Sequence, residues 1–399
     1  MTKQTVRILT YLILGMIFIF PCALVFGTWN AIYNHIFAVL VAVLYAHNGK
    51  INKRTFYFWI LIAFVAIYTG RYGFIDMIIV PILGEYINNK DEIKKVVYKS
   101  HVPYVCILFT LVYSVLYRYL GIGGRGEEGI SGGLLYTGIG EVNLTGLAIF
   151  GLGLICRKKN KFIGNGVLLL GLLTISRSYI LAIACVILFN FGFVKKVIEK
   201  IVNKLTYMNL TILSSLGVFA LGIVFVSLYQ TGGILAYNSN AGFDRLFHMN
   251  DYSNYYRFLA IYLIVMIMYK NPQTLLLGFS NEEFMEYGRQ ITSAANIDFG
   301  IGIGAHNLFF SHLKMYGLAV FFEIYYVSKY LKRVINHNNF GIFFAIFLYC
   351  IILGTGLSSF WLYFSAIILI LYQEPRRKSK NESLNKYYHE YIQRANRND

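Results

Sequence analysis

Three side chains in this sequence have the charge and proton chemistry needed to handle an anionic, hydroxyl-bearing substrate: Arg177, Arg257 and His306. Arg177 stands in Leu173-Thr174-Ile175-Ser176-Arg177-Ser178, between two apolar runs. A guanidinium there is costly unless its donors meet an anion or reach an interface. Arg257 follows Ser253-Asn254-Tyr255-Tyr256 in a long segment between apolar runs. His306 opens Ala305-His306-Asn307-Leu308-Phe309-Phe310, directly after Gly300-Ile301-Gly302-Ile303-Gly304, where the backbone can bend sharply. An imidazole there can take a proton from a hydroxyl near neutral pH. Two guanidiniums and one imidazole on one face suit a diphosphate leaving group and a hydroxyl nucleophile. Taken singly, each also has an ordinary reading: an Arg snorkelling to a membrane interface, an exposed loop Arg, an interfacial His.

Whether these three can share a face depends on the elements that carry them. Of 399 residues, 57% are hydrophobic and 14% charged, too much apolar surface for one soluble core. Taking about 17 to 25 apolar residues as a span, and accepting some shorter ones, the chain offers spans near 8–26, 30–47, 55–70, 73–88, 102–120, 142–156, 162–176, 178–193, 208–229, 305–328, 338–355 and 358–373. The first follows Lys3 and Arg7 as a signal peptide would, but no small-x-small cleavage pattern follows, so it is read as a span. The expectation is an all-α polytopic membrane protein of about twelve transmembrane helices, forming a single integral membrane domain over 1–399.

The net charge of +17 then reads as topology. With a cytoplasmic N-terminus, alternate loops hold Lys50, Lys53 and Arg54, then Lys90 to Lys99, Arg157 to Lys161, Lys195 to Lys204, Lys329 to Arg333, and a basic tail over 374–399. Most of the Lys and Arg thus fall inside, as the positive-inside rule requires. Basic charge spent on orientation leaves little reason to expect nucleic acid as a partner. The same threading places Arg177, Arg257 and His306 together on the outer side. It also leaves two long outer segments, a Gly-rich loop at 121–141 and a large extracytoplasmic loop at 230–304. Within the larger one, the apolar run 258–268 is too short to span and is expected as a helix on the membrane surface.

Other patterns carry less. Gly121-Ile122-Gly123-Gly124-Arg125-Gly126 spells a dinucleotide fingerprint but lacks the strand and helix that make one. Cys22, Cys106, Cys156, Cys185 and Cys350 all sit in or beside apolar runs without metal-ligand spacing, so no metal is expected. Asp76, Glu85 and Glu323 lie within or beside spans, where carboxylates often mark ion pathways. They keep a transporter open as a second class, and a purely structural membrane protein is a third.

Several of these residues also fall in an order that resembles the O-antigen ligase and Wzy-type polysaccharide polymerase superfamily. The resemblance covers chiefly Leu172 to Tyr179 and Arg245 to Val320. Its pieces are Thr-x-Ser-Arg-Ser at Thr174 to Ser178, Arg245-Leu246 with Asp251, Ser253 and Arg257, Asn271-Pro272 with Leu277-Gly278-Phe279, and His306-Asn307 with Leu313 and Gly317. Ser280 departs from the second Gly that many members have, and the Trp often found after the loop Arg is missing.

The resemblance implies a GT-C-like helical fold in a bacterial inner (plasma) membrane, with both termini cytoplasmic. It implies an undecaprenyl-diphosphate-linked oligosaccharide as donor, no metal or other cofactor, and a chain-length regulator among the partners beside membrane lipid. It assigns Arg177, Arg257 and His306 to catalysis and Arg245 and Asn307 to substrate binding. The expected activity is polymerisation of repeat units, with ligation of the glycan to another acceptor as the alternative and lipid-linked glycan flipping as the transporter form.

Overall fold

The computed structural model describes residues 4–5, 8–9, 11–12, 36, 39–40, 43, 53–69, 101, 103–109, 111–112, 142–174, 176–202, 204, 206–231, 252–294, 307–332 and 335–348. Within them the chain is helical, without a strand. The spans expected at 8–26, 30–47, 73–88 and 358–373, the Gly-rich loop and the basic tail lie wholly or largely outside the described residues, and 102–120 lies there in part.

Helix α1 runs Lys53–Thr69. Helices α2, Val142–Lys159, and α3, Lys161–Leu170, form a tight antiparallel hairpin turned at Asn160. The Asn160 side chain accepts from the amides of Phe162, at 2.9 Å, and Ile163, at 3.3 Å, supplying two of the partners that the start of α3 lacks. Arg157, Lys158 and Lys159 crowd the last turn of α2, where the helix dipole favours cations.

Two further segments were expected at 162–176 and 178–193. They appear as α3, a 3-10 turn at Gly171–Thr174, and α4 at Arg177–Leu188. After a break, α5 follows at Gly192–Ile201, bent by 88° from α4. Helix α6, Tyr207–Gln230, matches the span expected at 208–229. At 1.5 Å per residue its 24 residues reach about 36 Å. Among the described helices it alone is long and apolar enough to cross a membrane by itself. Its Leu213, Leu216, Leu221 and Val224 face outward.

The segment 252–294 is more ordered than a surface loop. Helix α7, Tyr252–Lys270, extends well beyond the apolar run expected at 258–268. It packs along α6, and Leu259, Ala260, Leu263, Ile264 and Ile267 are fully covered. Protein therefore covers this run. Pro272 starts α8, Pro272–Leu277, at a position where the missing N–H costs nothing. Helix α9 follows at Asn281–Ala294. The segment expected as one span at 305–328 is split at Gly317 into α10, Leu308–Tyr316, and α11, Ala319–Leu331. Helix α12, Phe340–Phe347, packs on α4, with Phe189 between the rings of Phe340 and Phe344 at centroid distances of 5.5 and 5.2 Å.

Candidate functional site

The Thr174 to Ser178 element is a helix break in which Thr174 and Ser176 both bond to the backbone. Thr174 is fully buried and its hydroxyl donates to the Gly171 carbonyl at 2.7 Å, closing the 3-10 turn. Ser176 caps α4, accepting from the Tyr179 amide at 3.2 Å. Tyr179 is fully buried, and its phenol donates to the Leu168 carbonyl at 2.6 Å, pinning α4 against the end of α3. A side chain on Gly171 would lie 2.1 Å from the Tyr179 ring, so only glycine allows this approach.

Arg177 is the first residue of α4 and is half-buried. A cation at this end adds to the positive pole of the helix dipole instead of opposing it. Guanidinium and helix start therefore both favour an anion at the same place. The neighbours of Arg177 in sequence are apolar or neutral.

Arg257 lies in the second turn of α7 and is half-buried beside the fully packed stretch that begins at Leu259. Helix α7 contacts α8, α9 and α10 as well as α6. Helix α10 begins at Asn307, whose Oδ1 accepts from the Phe310 amide at 3.1 Å. That cap is fully buried and gives Asn307 a structural task beside the substrate contact expected of it. His306, one residue earlier, and Arg245 lie outside the described residues. The packing thus brings α7, which carries Arg257, against α10, which Asn307 caps, whereas α4, which Arg177 opens, packs on α12 and α2.

A buried pair not expected from the sequence joins α10 to α11. The Nδ1–H of His312 donates to the Glu323 carboxylate, 3.0 Å from each oxygen, across the break at Gly317. His312 is fully buried, Glu323 is 4% exposed, and the Tyr316 ring meets the imidazole edge-on at 5.2 Å. Glu323 stood out in sequence as a carboxylate in an apolar segment, and such a group demands a partner. His312, in the same segment, was the signal. Among the described residues no group of His, Cys, Asp and Glu could hold a metal ion.

On helix α9, Asn281, Glu282, Met285, Glu286, Arg289 and Gln290 line an open groove of about 580 Å³. Ser280 and Glu283 form a reciprocal capping box at its start. The Ser280 amide donates to Glu283 Oε2 at 2.6 Å, and the Glu283 amide donates to Ser280 Oγ at 3.1 Å. Ser280 thereby has a structural task of its own.

No protein-family model matches the sequence, and comparison with curated proteins and with solved structures likewise yields no match.

Proposed function

We propose that this chain is a multi-pass membrane glycosyltransferase of about twelve spans, with a GT-C-like fold, that polymerises lipid-diphosphate-linked repeat units at the outer membrane face. The observation that carries the reading is Arg177, a half-buried guanidinium at the capped start of α4 between apolar segments. Support comes also from the inward-weighted basic charge, and from the broad apolar surface of α1, α3 and α6, which suits lipid.

In the proposed reaction, the hydroxyl of an acceptor sugar attacks the anomeric carbon of the donor. A carbon–oxygen bond forms to the acceptor, and the bond to the diphosphate oxygen breaks with its electron pair leaving on the diphosphate. His306 takes the hydroxyl proton. Arg177 and Arg257 neutralise the charge developing on the diphosphate, the task a divalent cation performs elsewhere. Arg245 and Asn307 hold the substrate, and a single displacement inverts the anomeric centre. Glu323, a carboxyl that would otherwise point to a transporter, is hydrogen-bonded to His312.

Purified protein supplied only with undecaprenyl-diphosphate-linked repeat units should yield a ladder of glycan lengths, since a polymerase needs no second acceptor. Arg177→Ala, Arg257→Ala and His306→Ala should each reduce the products to single units. A protein active only with a separate acceptor is a ligase. One that moves the glycan across vesicles without lengthening it is a flippase, and either result rejects the reading.

A further inference from the structure

Helices α8 and α10 end in the same way and against each other. Gly278 follows α8 with φ at +72°, and Gly317 follows α10 with φ at +57°. Each glycine amide closes its own helix, Gly278 onto the Thr274 carbonyl and Gly317 onto the Leu313 carbonyl, both at 2.8 Å. The next amide crosses over. Phe279 donates to the Lys314 carbonyl at 2.7 Å, and Leu318 donates to the Leu275 carbonyl at 2.8 Å. Both endings are of the αL type, in which the glycine amide takes the carbonyl four residues back and the carbonyl after that one finds no partner in its own helix. Here those leftover carbonyls, Leu275 and Lys314, are each satisfied by the other helix's next amide.

The exchange needs glycine on both sides for two separate reasons. Positive φ strains other residues, and a Cβ on Gly278 would lie 2.5 Å from the Lys314 carbonyl oxygen and 2.6 Å from that of Met315. A Cβ on Gly317 would lie 2.5 Å from the carbonyl oxygens of both Leu275 and Leu276. On one flank, Lys314 Nζ donates to Asn281 Oδ1 at 2.5 Å and sits over the Phe284 ring at 4.9 Å. Phe279 is fully buried at the centre. Backbone groups in so apolar a setting must be satisfied from within the protein, and neither helix end is satisfied without the other.

We propose that this reciprocal cap of Gly278 and Gly317 is the positioning joint of the site. Its two arms are the elements the proposed function uses. Helix α8 continues from α7, which carries Arg257 about 20 Å back along its axis, and α10 leads back over about 15 Å to Asn307 and the His306 before it. Gly278 and Gly317 act through those residues, so the inference rests on the proposed glycosyl transfer, but the joint itself can be measured without it.

The test uses the purified full chain in lipid nanodiscs. Hydrogen exchange over peptides containing Phe279 and Leu318 should show both amides protected together, and both deprotected in Gly317→Ala. With undecaprenyl-diphosphate-linked repeat unit as donor, Gly317→Ala should lose at least tenfold in kcat with KM changed less than twofold, at unchanged pH profile. If that variant fails to insert, Lys314→Met, which keeps both glycines, should lose kcat several-fold in the same pattern. Exchange of either amide at loop rates, or wild-type kcat in both variants, overturns the joint. Protected amides in a wild-type protein inactive on the donor overturn the glycosyl transfer alone.

Discussion

Breaking the buried His312–Glu323 pair from one side should cost far more than removing it altogether. Both oxygens of Glu323 lie 3.0 Å from Nδ1, and the two side chains are 0% and 4% exposed. A hydrogen bond at that distance between two groups shut off from water is strong, and the cost of burying both groups offsets much of it. Losing one partner also leaves the other without its answer in a dry interior, for a total of about 3–5 kcal/mol. Glu323→Met and His312→Leu should each carry that cost. Their combination replaces the pair by apolar groups of similar volume and should cost much less, giving a coupling energy of at least about 2 kcal/mol. Cys106, Cys156 and Cys185 are buried, so in a Cys22→Ser, Cys350→Ser background a thiol-reactive dye reports unfolding directly. For a chain of this length the single variants should melt roughly 3–10 °C below wild type, by inverse scaling with size. Single variants within 1 °C of wild type, or additive losses in the double variant, would refute the pairing.

The remaining expectations are smaller and local. Glu283→Ala and Ser280→Ala each remove one half of the α9 capping box and should cost about 1 kcal/mol in the same melting assay, with little added loss when combined. Gly171→Ala should be poorly tolerated, and Tyr179→Phe, which only removes the phenol's bond to Leu168, should cost about 1 kcal/mol. Desolvation by the surrounding helices lowers the Lys158 ammonium to about 8, although the residue as a whole is exposed. At pH 8 it should outpace ordinary lysines toward a membrane-impermeant amine reagent, and do so only in inside-out vesicles. Because its folded pKa lies below the unfolded value, Lys158 makes the protein more stable as pH rises from about 8 towards 10.

Local chemistry made some of this fold legible. Asn160, Ser176 and Asn307 are polar residues ahead of apolar runs, and each caps a helix. The apolar run that became α6 was visible from its length alone. The break at Gly317 was not, because its cause is a partner 39 residues away: Gly278 makes the exchange possible, and hydropathy carries no trace of it. The covered state of α7 was missed for a similar reason. An 11-residue window of apolar character reads the same whether lipid or α6 covers it, and only the contact with α6 decides. For the site, Arg177 was recognisable as a costly charge and Arg257 as a cation in a long loop, whereas the pairing of Glu323 with His312 was not. Spacing of 11 residues within one segment says nothing until the chain folds back at Gly317.

The central claim is tested most directly by incubating the purified protein with undecaprenyl-diphosphate-linked repeat unit alone and resolving the products by glycan length. A ladder from the wild type that collapses to single units in Arg177→Ala, with the variant inserted at wild-type levels, is the expected result. A wild type that leaves the donor unextended, or an Arg177→Ala protein that builds the same ladder, would contradict it.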